Sequence, residues 1–426
     1  MLAPVNPDAT LAEGETLGVR FARVRATTEQ LTRTLTPEDQ VIQTMPDVSP
    51  TKWHLAHVTW FFEEFVLKPH LPGYEEHDPA FGFLFNSYYN GVGAMHPRPQ
   101  RGLLSRPGIE QIRAYRRHVD DAVNALLTRN PNPEVAALVL LGTHHEQQHQ
   151  ELLLTDIKHV LSVNPLRPQF QSTVPDDGPA APSLRFLAGG GGLVTIGHGG
   201  EGFYFDNETP RHRVFLEPHA IANRPVTNGE YREFIRDGGY QRPELWLSDG
   251  WSTVRERNWD RPLYWEPDLD SAFTLGGVLA LDPDAPVCHV SYYEADAFAR
   301  WAGARLPLEA ELEIAAETVA IEGNLQQSGR FHPARGRGEG MIQIWGDVWE
   351  WSASPYTAYP GFRPPPGAVG EYNGKFMCNQ LILRGGSCVT PADHLRPTYR
   401  NFFYPDARWQ FSGIRLARDS QTTEGA

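Results

Sequence analysis

The sequence predicts an α+β protein in which a four-helix bundle precedes a loop-rich, strand-bearing half. Three observations predict it. Apolar residues recur at helical spacing in four segments, Leu17–Leu35, Lys52–Leu67, Ile109–Thr128 and Glu134–Val163, the number a bundle needs. From Pro165 to Pro182 the chain is rich in Pro, Gln, Asp and Gly, the composition of a linker. Beyond it, glycines, prolines and aromatics separate short strand-like runs, and long helical patterns are few. The expected division is residues 1–165, a linker at 166–183, and a second domain at 184–426.

The fourth helical segment carries the most informative feature. Asn132 is suited to cap it, Pro133 fits its first position, and Glu134 favours its positive end. Leu138, Leu141, His145, His149, Leu152 and Val160 follow at three- and four-residue steps, which sets both imidazoles on the inward stripe. Buried imidazoles are costly unless something organises them; a metal does so, and so does a hydrogen-bonded core. A third histidine is available in the second segment, which Ser49-Pro50 opens. Trp53, His57, Trp60, Phe61 and Glu64 line one face there, and His54 lies on an overlapping face, so spacing alone does not choose between the two histidines. Three histidines from two helices can cap one face of a metal and leave positions open for substrates. A carboxylate is the alternative third ligand. Glu146 and Glu151 fall off the histidine face, and Glu64 reaches it only if the helix departs from regular spacing.

In the second half, Gly191–Gly197, His212–Leu216 and Leu381–Gly386 read as strands ended by turns, and Asn228–Arg236 and Ser291–Ala302 as short helices. Loop-rich segments of this kind often build sites. The formal charge of −14 argues against a nucleic-acid or anionic-membrane partner. No apolar run has membrane-spanning length, and the N-terminus lacks a basic-then-apolar signal segment. Cys288, Cys378 and Cys388 are an odd count and form no disulfide framework or zinc pattern, which points to a reducing cytoplasm.

The second half resembles the formylglycine-generating-enzyme family, a C-type-lectin-like fold. The residues that carry the likeness run from Asp206–Pro210 and Pro225–Tyr231 through Arg305–Pro307, Gly346–Trp351 and Arg384–Ser387 to Gly413–Leu416. The first half resembles DinB-like metal-binding bundles through Trp53-His54-Leu55-Ala56-His57 and His145–Glu151. The two halves in this order resemble the ergothioneine-biosynthesis sulfoxide synthases over residues 17–418. That resemblance implies a mononuclear non-haem Fe(II) held by His57, His145 and His149, with O₂ as co-substrate. It implies oxidative coupling of a thiol to C2 of hercynine (Nα-trimethylhistidine) with sulfoxidation.

The resemblance also assigns the surrounding residues. Asn401 and Phe402 are implied to lie near the trimethylammonium group, which aromatic faces suit, and Gln148 to hydrogen-bond the substrate. Arg98 and Arg101 match the family's carboxylate-binding arginines in position and spacing, a role for which guanidinium is built. Relatives that use γ-glutamylcysteine place an acidic residue where this chain has Phe403, so the implied sulfur donor is L-cysteine. A catalytic tyrosine is expected, since a phenol can deliver a proton or hydrogen atom. Tyr89 is the first candidate, Tyr88 the second and Tyr372 the next. Three rival readings are a copper-dependent formylglycine-generating enzyme, an ovothiol-type synthase taking unmethylated histidine, and a lectin-like binding module with a structural metal. The first lacks its cysteine pair between Arg400 and Arg415, the second its additional methyltransferase domain, and the third predicts a closed metal site.

Overall fold

The computed structural model describes residues 14–129, 131–173, 176 and 178–420. Residues 1–13, where a signal segment would start, lie outside the described residues. The chain divides into two compact units. Unit 1 comprises residues 1–165 together with 198–209 and 361–375, and unit 2 comprises 166–197, 210–360 and 376–426.

Unit 1 is built on four helices. α1 (Leu17–Thr32) starts at Thr16, whose hydroxyl accepts the Val19 N–H. It stops short of the predicted Leu35 because Pro37 disfavours helical geometry at Thr36, where the Asp39 carboxylate instead accepts the Thr36 N–H at 2.9 Å. α2 (Thr51–Phe62) has every residue buried, and it runs into a π-helical turn, Glu63–Leu67. α3 spans Ile109–Leu127. α4 (Pro133–Val163) is capped as predicted, with the Asn132 side chain accepting the Val135 N–H at 3.0 Å. α1 packs on α4, and α2 packs on both α3 and α4. Their apolar faces meet in one core that includes Phe21, Trp60, Phe61, Phe62, Val119 and Val139.

Two features bring α2 and α4 into register. The first is Gly142. A Cβ there would sit 2.4 Å from the Phe62 ring and 3.1 Å from Phe61, so the absent side chain is what lets the helices approach one turn before His145. The second is a buried ionic cluster. Arg25 and Arg116 donate to the Glu146 carboxylate at 2.9 and 3.1 Å, and the Thr28 hydroxyl at 2.7 Å. Burial alone would raise the Glu146 pKa, but the two arginines and the hydroxyl hold it at about 2. Glu146 is therefore committed to the bundle. The π turn is the departure from regular spacing that Glu64 needed, yet it directs Glu64 to Lys68 at 2.9 Å instead. It also buries Glu63 as the acceptor of the Tyr74 and Tyr115 hydroxyls, at 2.6 and 2.5 Å.

Segments 198–209 and 361–375 join this bundle although they come from the second half of the chain. Phe203 stacks on His144 with centroids 3.7 Å apart. The Asn373 amide donates to Asp206 at 2.5 Å, so the two segments also hold each other.

Unit 2 mixes short helices with small sheets. A three-stranded sheet has the order β1 (Phe186–Gly189), β4 (His219–Ala222), β11 (Ala417–Asp419). β2 (Gly192–Ile196) pairs with β3 (His212–Leu216), and β5 (Ser271–Thr274) with β6 (Gly277–Ala280), all antiparallel. A four-stranded sheet has the order β10 (Ser412–Gly413), β7 (Trp349–Pro355), β8 (Leu381–Arg384), β9 (Asn401–Phe403). The two short helices predicted from sequence, Asn228–Arg236 and Tyr292–Trp301, both start at capping boxes, Thr227 with Glu230 and Ser291 with Glu294. A buried Arg415–Glu350 ion pair at 2.7 Å ties β7 to the segment after β10. Among the described residues no helix is long and apolar enough to cross a membrane.

The helix approach at Gly142 has a measurable consequence. Gly142→Val should force the buried Phe62 ring aside and lower stability by about 1–3 kcal/mol, the usual cost of overpacking. Urea unfolding followed by circular dichroism reads this, and an unchanged midpoint would show that the helices do not depend on the glycine.

Candidate metal centre

The geometry of α2 and α4 gathers three imidazoles. One ring nitrogen from each of His57, His145 and His149 lies within 4.8 Å of the other two. The ring centroids are 5.0 Å apart for His57 and His145, 4.8 Å for His57 and His149, and 4.7 Å for the two α4 histidines. Trp53 and Trp60 lie nearly parallel to the His57 ring at 4.6 and 5.5 Å, which fixes its plane. His57 Nδ1 is 2.6 Å from the Phe85 carbonyl. A carbonyl only accepts, so Nδ1 carries the proton and Nε2 the lone pair.

All three rings are held neutral. Burial pushes the His145 pKa down to about 4. His57 and His149 are pushed well below the ordinary value, first by burial and then by the neighbouring histidines and Arg101. Nδ1 of His145 is buried with no hydrogen-bond partner among the described residues. Three neutral imidazoles converging in a buried site, one with an orphaned nitrogen, fit a metal ion.

The other acid and histidine candidates go elsewhere. His54 lies outside the cluster and bridges two buried groups: its Nδ1 is 2.9 Å from His149 Nδ1, and its Nε2 is 2.9 Å from Asp156 Oδ2. The sequence reading missed Asp156. The available signal was its place seven residues after His149, on the same helical face.

The arginine and tyrosine candidates also belong to unit 1. The Arg101 guanidinium lies 3.4 Å from the Trp53 ring centroid, and Trp53 in turn stacks on His57. Arg101 is 4 % exposed, and its hydrogen bonds to described residues go to two hydroxyls, Ser49 at 2.9 Å and Ser87 at 2.8 Å. It forms no ion pair with a described carboxylate; burial and then the Arg98 charge push its pKa down to about 9, against a smaller opposing pull from Tyr88 and Asp156. Arg98 donates to the Tyr88 hydroxyl and, at 2.6 Å, to the Asp47 carbonyl. Tyr88 adopts φ +67°, a left-handed conformation uncommon outside glycine. Tyr89 is buried, its ring 5.6 Å from Trp60 and 5.2 Å from Phe65. Its hydroxyl makes no hydrogen bond to any described residue, and burial pushes its pKa up. Tyr372 lies 6.3 Å from the Tyr89 ring and 6.1 Å from Tyr88, and burial pushes its pKa to about 12. Gln148 is on α4, immediately before His149.

The remaining candidates are in unit 2. Asn401, Phe402 and Phe403 form the edge strand β9. The Asn401 side-chain oxygen accepts the Phe402 N–H at 2.9 Å. Phe402 stacks on Tyr356 with centroids 4.0 Å apart, and Phe403 meets Trp409 edge-on at 6.2 Å.

Comparison with known proteins matches both parts of the chain. Residues 20–153 match the DinB superfamily, and residues 176–337 and 322–420 match the sulfatase-modifying factor enzyme 1-like domain. The class is thus an enzyme that joins a DinB-type helical bundle to a sulfatase-modifying-factor-like domain. A hercynine oxygenase of Mycolicibacterium thermoresistibile is 34% identical over 88% of this chain and 88% of its own length. The hercynine oxygenase of Mycolicibacterium smegmatis is 33% identical over 88% and 92%, and that of Mycobacterium tuberculosis 31% over 95% and 99%. The chain belongs to the hercynine oxygenase family and is an oxygenase whose histidine cluster can hold a metal ion.

Removing one imidazole leaves two donors. His57→Ala, His145→Ala and His149→Ala should each abolish stoichiometric metal binding in equilibrium dialysis while unit 2, which supplies none of the three, keeps its near-ultraviolet dichroism. Full binding by the His57 variant would return the ligand role to His54.

Proposed function

We propose that the protein couples L-cysteine to C2 of hercynine with O₂ and oxidises the new thioether to its sulfoxide, as in ergothioneine biosynthesis. One C–H and one S–H are lost, one C–S and one S–O bond form, and the second oxygen atom leaves as water. The observation that carries the reading is the pairing of a three-imidazole cluster with a buried arginine that, among the described residues, forms no ion pair with a carboxylate. The first suits mononuclear Fe(II) with open positions. The second suits a substrate carboxylate, because a desolvated guanidinium without an anion is costly until one arrives.

Fe(II) held by His57, His145 and His149 would supply the positions at which thiolate, imidazole and O₂ meet. The chain's own residues do the rest. Arg101 binds the cysteine carboxylate, and its guanidinium is pre-aimed by the Ser49 and Ser87 hydroxyls and the Trp53 face. Arg98 serves the same carboxylate and meanwhile ties up the Tyr88 hydroxyl. Tyr89 holds the active proton: its phenol is kept protonated by burial and makes no hydrogen bond to any described residue. Gln148 hydrogen-bonds hercynine, and the family resemblance supports Asn401 and Phe402 as contacts of the trimethylammonium group. Phe403, an uncharged residue, supports cysteine over γ-glutamylcysteine. Three free cysteines agree with a reducing, cytoplasmic setting.

Two measurements test this reading. In competition, cysteine should be preferred to γ-glutamylcysteine by about ten- to a hundredfold, since the missing charge-assisted contact is worth roughly 1.5–3 kcal/mol. Arg101→Ala should raise the cysteine KM and leave metal content alone. Preference for γ-glutamylcysteine would refute the donor assignment.

Tyr89→Phe removes one hydroxyl and keeps the ring's packing. It should retain metal and both substrates, still consume O₂, and divert product from sulfoxide to cysteine sulfinic acid. Tyr88→Phe should do so less. An unchanged sulfoxide fraction in both variants and in the double variant would move the role to Tyr372.

A further inference from the structure

A chain of hydrogen bonds outside the imidazole cluster ends on one of its rings. His54 lies one turn before His57 on α2, and Asp156 lies two turns beyond His149 on α4. Both are buried. Asp156 Oδ2 accepts the Ser49 N–H at 2.8 Å and sits 2.9 Å from His54 Nε2. His54 Nδ1 sits 2.9 Å from His149 Nδ1. Two ring nitrogens at that distance share a single proton, so one ring donates and the other accepts.

The carboxylate decides which. A carboxylate accepts only, so His54 carries its proton on Nε2, and a neutral ring then presents a lone pair at Nδ1. That lone pair calls for an N–H on Nδ1 of His149. The lone pair of His149 is left on Nε2, the nitrogen that His54 does not engage. The opposite arrangement needs a doubly protonated His54 and puts a proton on His149 Nε2, where it would block a metal. His57 reaches the same state through the Phe85 carbonyl.

We propose that His54 and Asp156 are positioning residues that set the tautomer and ring orientation of His149, so that Nε2 is offered as the metal donor. Outer carboxylate–histidine partners of this kind orient metal ligands in general. The proposal rests on the reading of His149 as a ligand.

The test is made on the full chain freed of metal. Its first readout is ¹⁵N NMR of the imidazoles, which is expected to show His149 protonated on Nδ1 only. A proton on Nε2 would overturn the proposal. The second is anaerobic titration with Co(II) and Fe(II). His54→Leu, which removes the acceptor, should weaken binding about ten- to a hundredfold. His54→Asn, whose amide oxygen can stand where Nδ1 stood, should recover most of the loss, which a purely space-filling role would not explain. A His54→Leu protein that binds both metals as tightly as the unsubstituted chain would overturn the proposal. If that variant does not fold, His54→Asn and the NMR of the unsubstituted protein carry the test. Failure of the underlying ligand reading is told apart because it shows without any substitution at His54: the unsubstituted chain takes up no metal, or His149→Ala takes it up equally well.

Discussion

The close approach of α2 and α4 is the constraint on which the first unit depends. With every residue of α2 buried, each polar group on that helix must find a partner inside the protein. Gly142 sets how near the helices come, and that spacing decides which groups meet. His57 meets His145 and His149, His54 meets His149 and Asp156, and Thr59 meets Arg25. The histidine cluster is thus a product of the helix spacing, and the stacked Trp53 and Trp60 rings keep it from relaxing.

The same bundle uses buried arginines in two opposite ways. Arg25 and Arg116 share Glu146, and each has a second carboxylate, Asp120 at 2.6 Å for Arg25 and Glu29 at 2.7 Å for Arg116, with hydroxyl support from Thr28. Among the described residues Arg101 has no ion-pair partner; its hydrogen bonds go to the Ser49 and Ser87 hydroxyls, and Asp156 acts on it only through space. A folding argument would remove such a group, because burying an unpaired cation costs several kcal/mol. Its retention beside the cluster makes sense if an anion completes it during use. The two tyrosines divide by the same reasoning. Tyr88 gives its hydroxyl to Arg98, while the Tyr89 hydroxyl makes no hydrogen bond to any described residue.

What the sequence could and could not disclose follows from the range of the interactions. The four helices were legible because 3.6-residue periodicity and caps such as Asn132 are local signals. The facing of His145 and His149 followed from the same spacing. The choice between His54 and His57 was not local: both are buried on α2, and only the partner helix separates a ring that joins the cluster from one that supports it. The π turn after Phe62 was invisible to regular spacing, so Glu64 stayed a candidate ligand although its partner is Lys68. Least legible was the path of 198–209 and 361–375, which lie far along the chain yet belong to the bundle's unit. No periodicity announces that kind of return, which brings the Tyr372 ring beside Tyr88 and Tyr89.

Asp156 connects the histidines to the arginine's hydroxyl support. One of its oxygens receives both the Ser49 N–H and the His54 ring proton. Ser49 in turn places its hydroxyl against Arg101. A single carboxylate therefore stands behind the His149 imidazole, through His54, and behind the serine whose hydroxyl accepts from the Arg101 guanidinium. Displacing that oxygen would disturb both at once, whereas changing His54 would reach the imidazole alone.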